Sequence, residues 1–470
     1  MGRPADTDPE FASRYAIQIV LFIISIVYWT GIERIIGKYP SYMSGEAVAV
    51  LSMEPLDFLK PIVVKDPSGG KWGDYVIFAP LGFNAAAALD RYVVAPLVLG
   101  KQAEDPAVFS YARRLAPLHI LCLAALTVGA FLFLRYLTGH IPAAVLGAAY
   151  LGLNHGASHP LSFVSTFGLY GLLAGGMLAV AGIVEVCRGT DTIQGRTLIK
   201  IGCGLALAVL SHGQAGALPL VLLAISAVAV LFWRVPFGKL MVSGCLLPGF
   251  FLVLYFTMHL GHGLGEINGV TESQYMFPYP SLTLKIEEAM LNISAHIANT
   301  IDGILFPWPM QSVAVMKNIN MDLHNKYNLV YSQWPNMHYR MFGMWYIGLL
   351  FGAAIFFSAK IIRLLVKNRS VGDAVPAVGL LLLWGGFFMH IPVMFRDYFL
   401  IPGFDIGYKA SLSHLGFSII LAWAVVRYLQ PRLAAFSLNR QGQVIGGIFF
   451  WIALCNFGKI ALNKSYNFPW

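Results

Sequence analysis

Long apolar runs broken by short polar turns dominate this chain. Lipid-compatible runs fall at about 15–35, 112–135, 141–154, 161–186, 199–211, 216–233, 240–260, 342–362, 374–393, 411–428 and 443–462. Runs of about 18 residues or more are long enough to cross a hydrocarbon core about 30 Å thick as helices. The pattern predicts an all-α, polytopic membrane protein with about eleven transmembrane helices. Several runs are short for a full crossing, which predicts breaks or tilts near 139–160 and 199–216.

Two intervals are too polar to sit in lipid. The first, 36–110, lies between two strongly apolar runs and carries Glu46, Glu54, Asp57, Asp66, Asp74, Asp90, Glu104 and Asp105. The second, 261–341, has apolar positions at helical spacing from Leu282 to Leu305, which predicts a helix lying on the interface. Its tail, NKYNLVYSQWPNMHYRMFGMWY, is rich in the aromatics that anchor chains at a membrane edge. The chain therefore divides into a cytoplasmic N-terminus (1–14), a transmembrane module with its polar first loop (15–260), a large outer loop (261–341) and C-terminal transmembrane helices (342–470). Long polar loops pinned at a membrane surface are where chemistry is expected.

Composition agrees with the pattern and removes other classes. Of 470 residues, 57% are hydrophobic and 12% charged, about half the charge of a soluble globule. The net charge of +9 is spread over many short loops, which suits orientation in a membrane and not a stripe that tracks nucleic-acid phosphates. With the N-terminus inside, the inner loops hold Arg188, Arg196 and Lys200; Arg234 and Lys239; Lys360, Arg363, Lys367 and Arg369; and Arg427, Arg432 and Arg440. The turns at 154–160 (NHGASHP) and 211–216 (SHGQAG) hold no Lys or Arg. This asymmetry predicts an integral protein of a bacterial inner membrane, N-terminus in and C-terminus out. The first apolar run reads as a retained anchor, although an uncleaved signal looks similar. Cys122, Cys187, Cys203, Cys245 and Cys455 form no CxxC pair, so neither a disulfide framework nor a zinc site is indicated. No Walker loop, GxGxxG or GxSxG elbow is present.

Three stretches give the chain a family likeness. YPSYMSGEAVAVLSMEPLDF follows the first span, and WGDYVIFAPLGFNAAAALDRYV precedes the Arg-led second span beginning ARRLAPLHILCLAALTVGAF. MFRDYFLIPGF lies late in the chain, on the outer side. Together they resemble the GT-C class of membrane glycosyltransferases, in the lipid-carrier-dependent branch of protein O-mannosyltransferases and lipid A aminoarabinose transferases. The likeness covers about 15–190 and 380–430. The chain departs from the family's pattern in three places. Gly45-Glu46 stands where an Asp or Asp-Glu is usual, Pro80 is what survives of paired prolines, and the 154–160 turn lacks a second acid.

The resemblance implies transfer of a sugar from a polyprenyl-phosphate carrier, with inversion, to an acceptor on the outer face. Glu46 is then the base, with a pKa raised by partial desolvation at the membrane edge. The competing reading makes it an ordinary first-turn acid of the short helix EAVAVLSM, favoured by the helix dipole. Asp57 and Asp74 are the spare acids. Arg396 offers a planar, permanently charged fork for the lipid phosphate, which Asp397 would orient; a snorkelling interfacial arginine is the plainer reading. Lys409, Lys60 and Lys71 are weaker phosphate ligands.

His155, His159, His212, His259, His262 and His390 all fall at outer span ends, where imidazoles bind metal or relay protons, or simply pack and hydrogen-bond. His155, His159 and His212 are the substrate-binding candidates among them, and a divalent metal is the candidate cofactor. Membrane lipids are the other expected partners, and nucleic acid is not one. Loss of the second acid keeps open a catalytically inactive, GT-C-like scaffold subunit with protein partners in a larger membrane complex. A transporter is disfavoured because no inverted repeat appears.

Overall fold

The computed structural model describes residues 9–36, 62–64, 75–77, 80–98, 108–153, 166–189, 195–211, 216–263, 344–368, 374–388 and 411–465. Helix α1 (Pro9–Ile36) is followed by strands β1 (Ile62–Val64) and β2 (Tyr75–Ile77). Helix α2 (Pro80–Leu89) then runs through a π-helical turn (Asp90–Val94) into a last turn (Ala95–Val98). Next come α3 (Val108–Thr138), α4 (Ile141–Gly152), α5 (Thr166–Arg188), α6 (Gly195–Ser211) and α7 (Ala217–Trp233). Helix α8 (Leu247–Gly263) continues a helical turn (Phe237–Leu240) and a π-helical stretch (Met241–Leu246). The chain resumes with α9 (Met344–Asn368), α10 (Ala374–Phe388), α11 (Ser411–Ala424, extended through Val425–Leu429 to Gln430–Leu433) and α12 (Leu438–Ser465).

Each run read as a span is thus helical over most of its length. Among the described residues, five segments are long and apolar enough to cross a membrane: Tyr15–Ile32, Pro117–Thr138, Gly168–Arg188, Phe237–Tyr255 and Leu412–Leu433. The chain is an integral membrane protein. Shorter apolar helices (Ile141–Gly152, Ala217–Trp233 and Ala374–Gly386) pack between the long ones.

The anticipated break near 139 has a local cause. Gly139 adopts φ +69°, a conformation that costs Gly nothing, and its N–H donates to Arg135 O at 2.7 Å. His140 caps α4, its Nδ1 accepting from the Ala143 N–H at 3.3 Å. Partial burial lowers the pKa of this imidazole, which favours the neutral ring that an accepting nitrogen requires. Pro142, in the first turn, gives up an N–H that has no intrahelical partner.

One departure lies in the first polar interval. The all-α expectation holds along the spans, but β1 and β2 form an antiparallel pair with Ile62 opposite Ile77, Val63 opposite Val76 and Val64 opposite Tyr75. These tripeptides are β-branched and aromatic, and a Gly-rich stretch separates them. They are too short to register against runs judged by membrane-spanning length.

Packing sorts the spans into centre and periphery. Of the crossing window of α5, 67% is buried, against 22% for α1, so α5 is central and α1 is lipid-facing. Ile19, Val20, Ile23 and Val27 on α1, and Phe250 and Val253 on α8, are exposed as a lipid face requires. Small residues set the closest contacts. A Cβ on Gly175 of α5 would run into the Gly204 carbonyl and the Ala208 backbone of α6. Gly416 of α11 meets Leu383 and Gly379 of α10 in the same way. Lipid removes the usual hydrophobic drive between helices, so such close backbone approach supplies the association energy.

Candidate functional site

The candidate site is built from the helix ends that flank the polar turns. Near its C-terminus, α1 carries Tyr28 and Trp29, with Trp29 fully buried. The Trp29 indole N–H donates to Gly152 O at 3.0 Å, and the Tyr28 hydroxyl donates to Leu153 O at 3.3 Å. Those carbonyls belong to the last turn of α4, where no intrahelical donor remains for them. One turn earlier on α1, Ser25 Oγ and Thr127 Oγ1 of α3 lie 3.1 Å apart in a buried hydrogen bond. The end of α1 that opens into the 36–110 interval is therefore fastened to the end of α4 that opens into the 154–160 turn.

Two buried histidine–tyrosine pairs bind the same end of the bundle. His119 Nδ1 of α3 lies 3.1 Å from the hydroxyl of Tyr170 on α5, and His414 Nδ1 of α11 lies 3.2 Å from the hydroxyl of Tyr150 on α4. Both imidazoles are almost wholly buried. Tyr150 also packs on Phe417, with ring centroids 5.0 Å apart. These pairs tie the helix preceding the 154–160 turn to α11 and the helix following it to α3. Tyr255 of α8 packs against Gly216 at the start of α7, so a larger residue there would displace the ring. Helix α2 adds a cover: it packs on α5 and α6, burying Asn84 and Ala87 while Tyr92 and Leu97 stay exposed.

The residues singled out from the sequence stand outside this frame. Glu46, Asp57, Asp74, Lys60, Lys71, His155, His159, His212, Arg396 and Lys409 lie outside the described residues, as does His390. The interfacial helix expected over 282–305 lies outside them too. His259 and His262 fall in the closing turns of α8. What the structure brings together is the set of flanking anchors: Trp29 before the first interval, Leu153 and Tyr170 on either side of the 154–160 turn, Ser211 and Gly216 around His212, and His414 after Arg396 and Lys409. His119 and His414 carry no local signal in the sequence. Each is a lone histidine near the start of an apolar run, and the tyrosines that satisfy them sit 51 and 264 residues away.

Among the described residues, no group of three or more His, Cys, Asp or Glu could hold a metal ion. A cluster of charged groups lies at the opposite end. There Glu185 pairs with Lys200 at 2.6 Å and Arg196 at 3.7 Å. Arg188 donates to Leu137 O at 2.9 Å, and Lys239 to Gly189 O at 3.0 Å. The hydrogen bonds at the Trp29 end are made by neutral side chains, whereas this end is held by cations.

No family model matches the chain, and no curated protein does. Among solved structures, the archaeal oligosaccharyltransferase AglB from Archaeoglobus fulgidus, in complex with an inhibitory peptide and a dolichol-phosphate, is similar at 13% identity and a TM-score of 0.48. The similarity covers 96% of this chain and 56% of AglB, so the chain spans little more than half of that protein's length. Likeness at this level assigns no family.

Proposed function

We propose that the chain is an integral membrane glycosyltransferase of GT-C architecture that takes a sugar from a polyprenyl-phosphate carrier on the outer face. In this reading Glu46 removes the proton from the acceptor hydroxyl or amide as that group attacks the anomeric carbon. The bond from the anomeric carbon to the phosphate oxygen breaks on the opposite side, so the configuration inverts, and the lipid phosphate leaves with the electron pair. Arg396 receives that charge, with Lys409, Lys60 or Lys71 as supplementary cations. Asp57 and Asp74 are the reserve acids of this reading, and His155, His159 and His212 its further substrate contacts. A divalent metal would add charge on the phosphate, but the described residues offer no ligand set for one, and no step runs through it.

One observation above all supports this reading: the helix ends that flank the acidic first interval and the His155/His159 turn are fastened together through Trp29, Gly152 and Leu153. A transfer site needs its base and its acceptor side held within a few ångströms on rigid elements, and this junction supplies the rigid elements. Glu46→Gln keeps the shape and removes the base. With polyprenyl-phosphate sugar in proteoliposomes, the variant should lose about 10²–10⁴-fold in transfer rate, with elution and thermal stability unchanged. Undiminished transfer would end the assignment of Glu46.

A specific feature favours a second reading. The 154–160 turn, Asn-His-Gly-Ala-Ser-His-Pro, lacks the acid that the resemblance expects there. A scaffold subunit of a larger membrane complex would tolerate that loss. Such a chain would show no transfer in the unaltered protein and would co-purify with a stoichiometric partner under mild detergent.

A further inference from the structure

Helix α9 carries charge that the transfer reading does not use. From Met344 to Ala359 it has no charged residue, and then Lys360, Arg363 and Lys367 follow at spacings of three and four. At about 100° per residue these three, with Phe356 one turn before them, fall within an arc of about 60°. The other side of the same turns is the one that docks. There Ser358 and Ile361 are buried, and the Trp384 indole N–H of α10 donates to Ser358 Oγ at 2.9 Å. The cationic stripe therefore faces away from the bundle, and all three of its residues are exposed. None of them makes a hydrogen bond or ion pair among the described residues. Between Met344 and Gly372 the chain holds no Asp or Glu, so the helix supplies no counter-charge of its own.

The helix dipole accounts for one of these charges at most. Its field fades within the last turn, which holds Lys367 and leaves Lys360 and Arg363 unexplained. The apolar surroundings of the stripe are exposed as well. Phe356 is 65% exposed and Phe357 61%, one turn toward the uncharged part of the helix, and Ile362 and Val366 lie exposed beside the cations. A free anion would use the charge but gain nothing from these side chains. A phospholipid uses both, with its phosphate among cations whose long stems reach toward the helix end and its acyl chains along the phenylalanines. We propose that the outward face of α9, built on Lys360, Arg363 and Lys367 with Phe356 beyond them, binds the headgroup of an anionic phospholipid. None of the residues assigned to transfer takes part, so the site does not rest on that reading.

Each basic residue near an anionic leaflet contributes about fivefold in lipid preference. The three cations span about 10 Å along the helix axis, too far for one phosphate to meet them all, so two set the expected preference at about 25-fold. The test is native mass spectrometry of the full-length protein titrated with phosphatidylglycerol or phosphatidylcholine in detergent. Lys360→Gln, Arg363→Gln and Lys367→Gln combined should lower the preference for phosphatidylglycerol about tenfold or more. Elution and thermal midpoint should stay unchanged, since no described contact is broken. A matched variant, Arg427→Gln with Arg432→Gln and Arg440→Gln, removes the same charge from exposed positions on α11 and α12 and should lower the preference by no more than about twofold. Equal losses in the two variants, or no loss in the first, overturn the proposal. Displacement of the lipid by millimolar inorganic phosphate overturns it too, since the stripe would then be a plain anion site. A lipid preference untouched by the α9 substitutions, with a co-purified protein lost instead, would give the stripe to an acidic partner and overturn it as well.

Discussion

At the scale of single residues, the informative groups are polar atoms placed where lipid offers them no alternative. Trp29 is the clearest. Its indole N–H is the donor that satisfies Gly152 O at the end of α4, and removing it leaves a buried carbonyl without a partner. Side-chain hydrogen bonds within membranes average only about 0.6 kcal/mol, because the unfolded chain also finds partners there. A carbonyl at a helix end, shielded by its own bundle, stands nearer the soluble figure of about 1–3 kcal/mol. Trp29→Phe keeps most of the ring and loses the donor, so the thermal midpoint in detergent should drop by an amount equivalent to about 1–2 kcal/mol. Phe450→Leu, on the lipid face of α12, should leave it in place. A Trp29→Phe protein as stable as the parent would show that the α1–α4 junction is held by packing alone. The residue scale is also where sequence said least. His119, His414, Tyr150 and Tyr170 satisfy one another across long sequence separations, and no local pattern records such pairings.

At the scale of elements, the apolar runs located the helices well. The run read at 199–211 became Gly195–Ser211, and that at 216–233 became Ala217–Trp233. A membrane helix satisfies its whole backbone within one segment, so a one-dimensional signal suffices. Strand pairing is a relation between two segments, and β1 with β2 left no trace in the same reading. Close packing is equally relational. Gly175, Gly204 and Gly202 look alike in sequence, yet the first two press against backbone across the α5–α6 interface while Gly202 has open space around its Cα. These glycines make a matched test. Gly175→Ala places a Cβ against the Gly204 carbonyl and the Ala208 backbone, atoms that cannot rotate away, so the helices must separate at a cost of about 1–3 kcal/mol or more. Gly202→Ala removes a flexible residue from a helix interior and should be neutral or stabilising by up to about 1 kcal/mol. Detergent thermal unfolding of the two variants reads the difference directly, and similar midpoints would mean that the α5–α6 contact is looser than described.

At the scale of the whole molecule, the character of each end of the bundle bears on the compartment it faces. The described residues give the two ends different characters. Arg188, Arg196, Lys200, Arg234 and Lys239 gather at one, while the other is closed by Trp29, Tyr28 and the two histidine–tyrosine pairs. Lys and Arg in short loops near span ends are retained on the cytoplasmic side during insertion. The cation-rimmed end is therefore expected inside, and the polar stretch between α2 and α3 outside with the acidic interval that precedes it. In a background with the native cysteines replaced by Ser, Gly238→Cys probes the first position and Ala103→Cys the second. Gly238 has open space around it, so the thiol fits without displacing a neighbour. In right-side-out vesicles a membrane-impermeant maleimide should label the cysteine at 103 and spare that at 238 until detergent opens the membrane. The reverse pattern would turn the whole bundle over. Glu46 and Arg396 would then face the cytoplasm, away from any sugar presented on the outer leaflet, and the transferase reading would fail together with the topology that gives it a substrate.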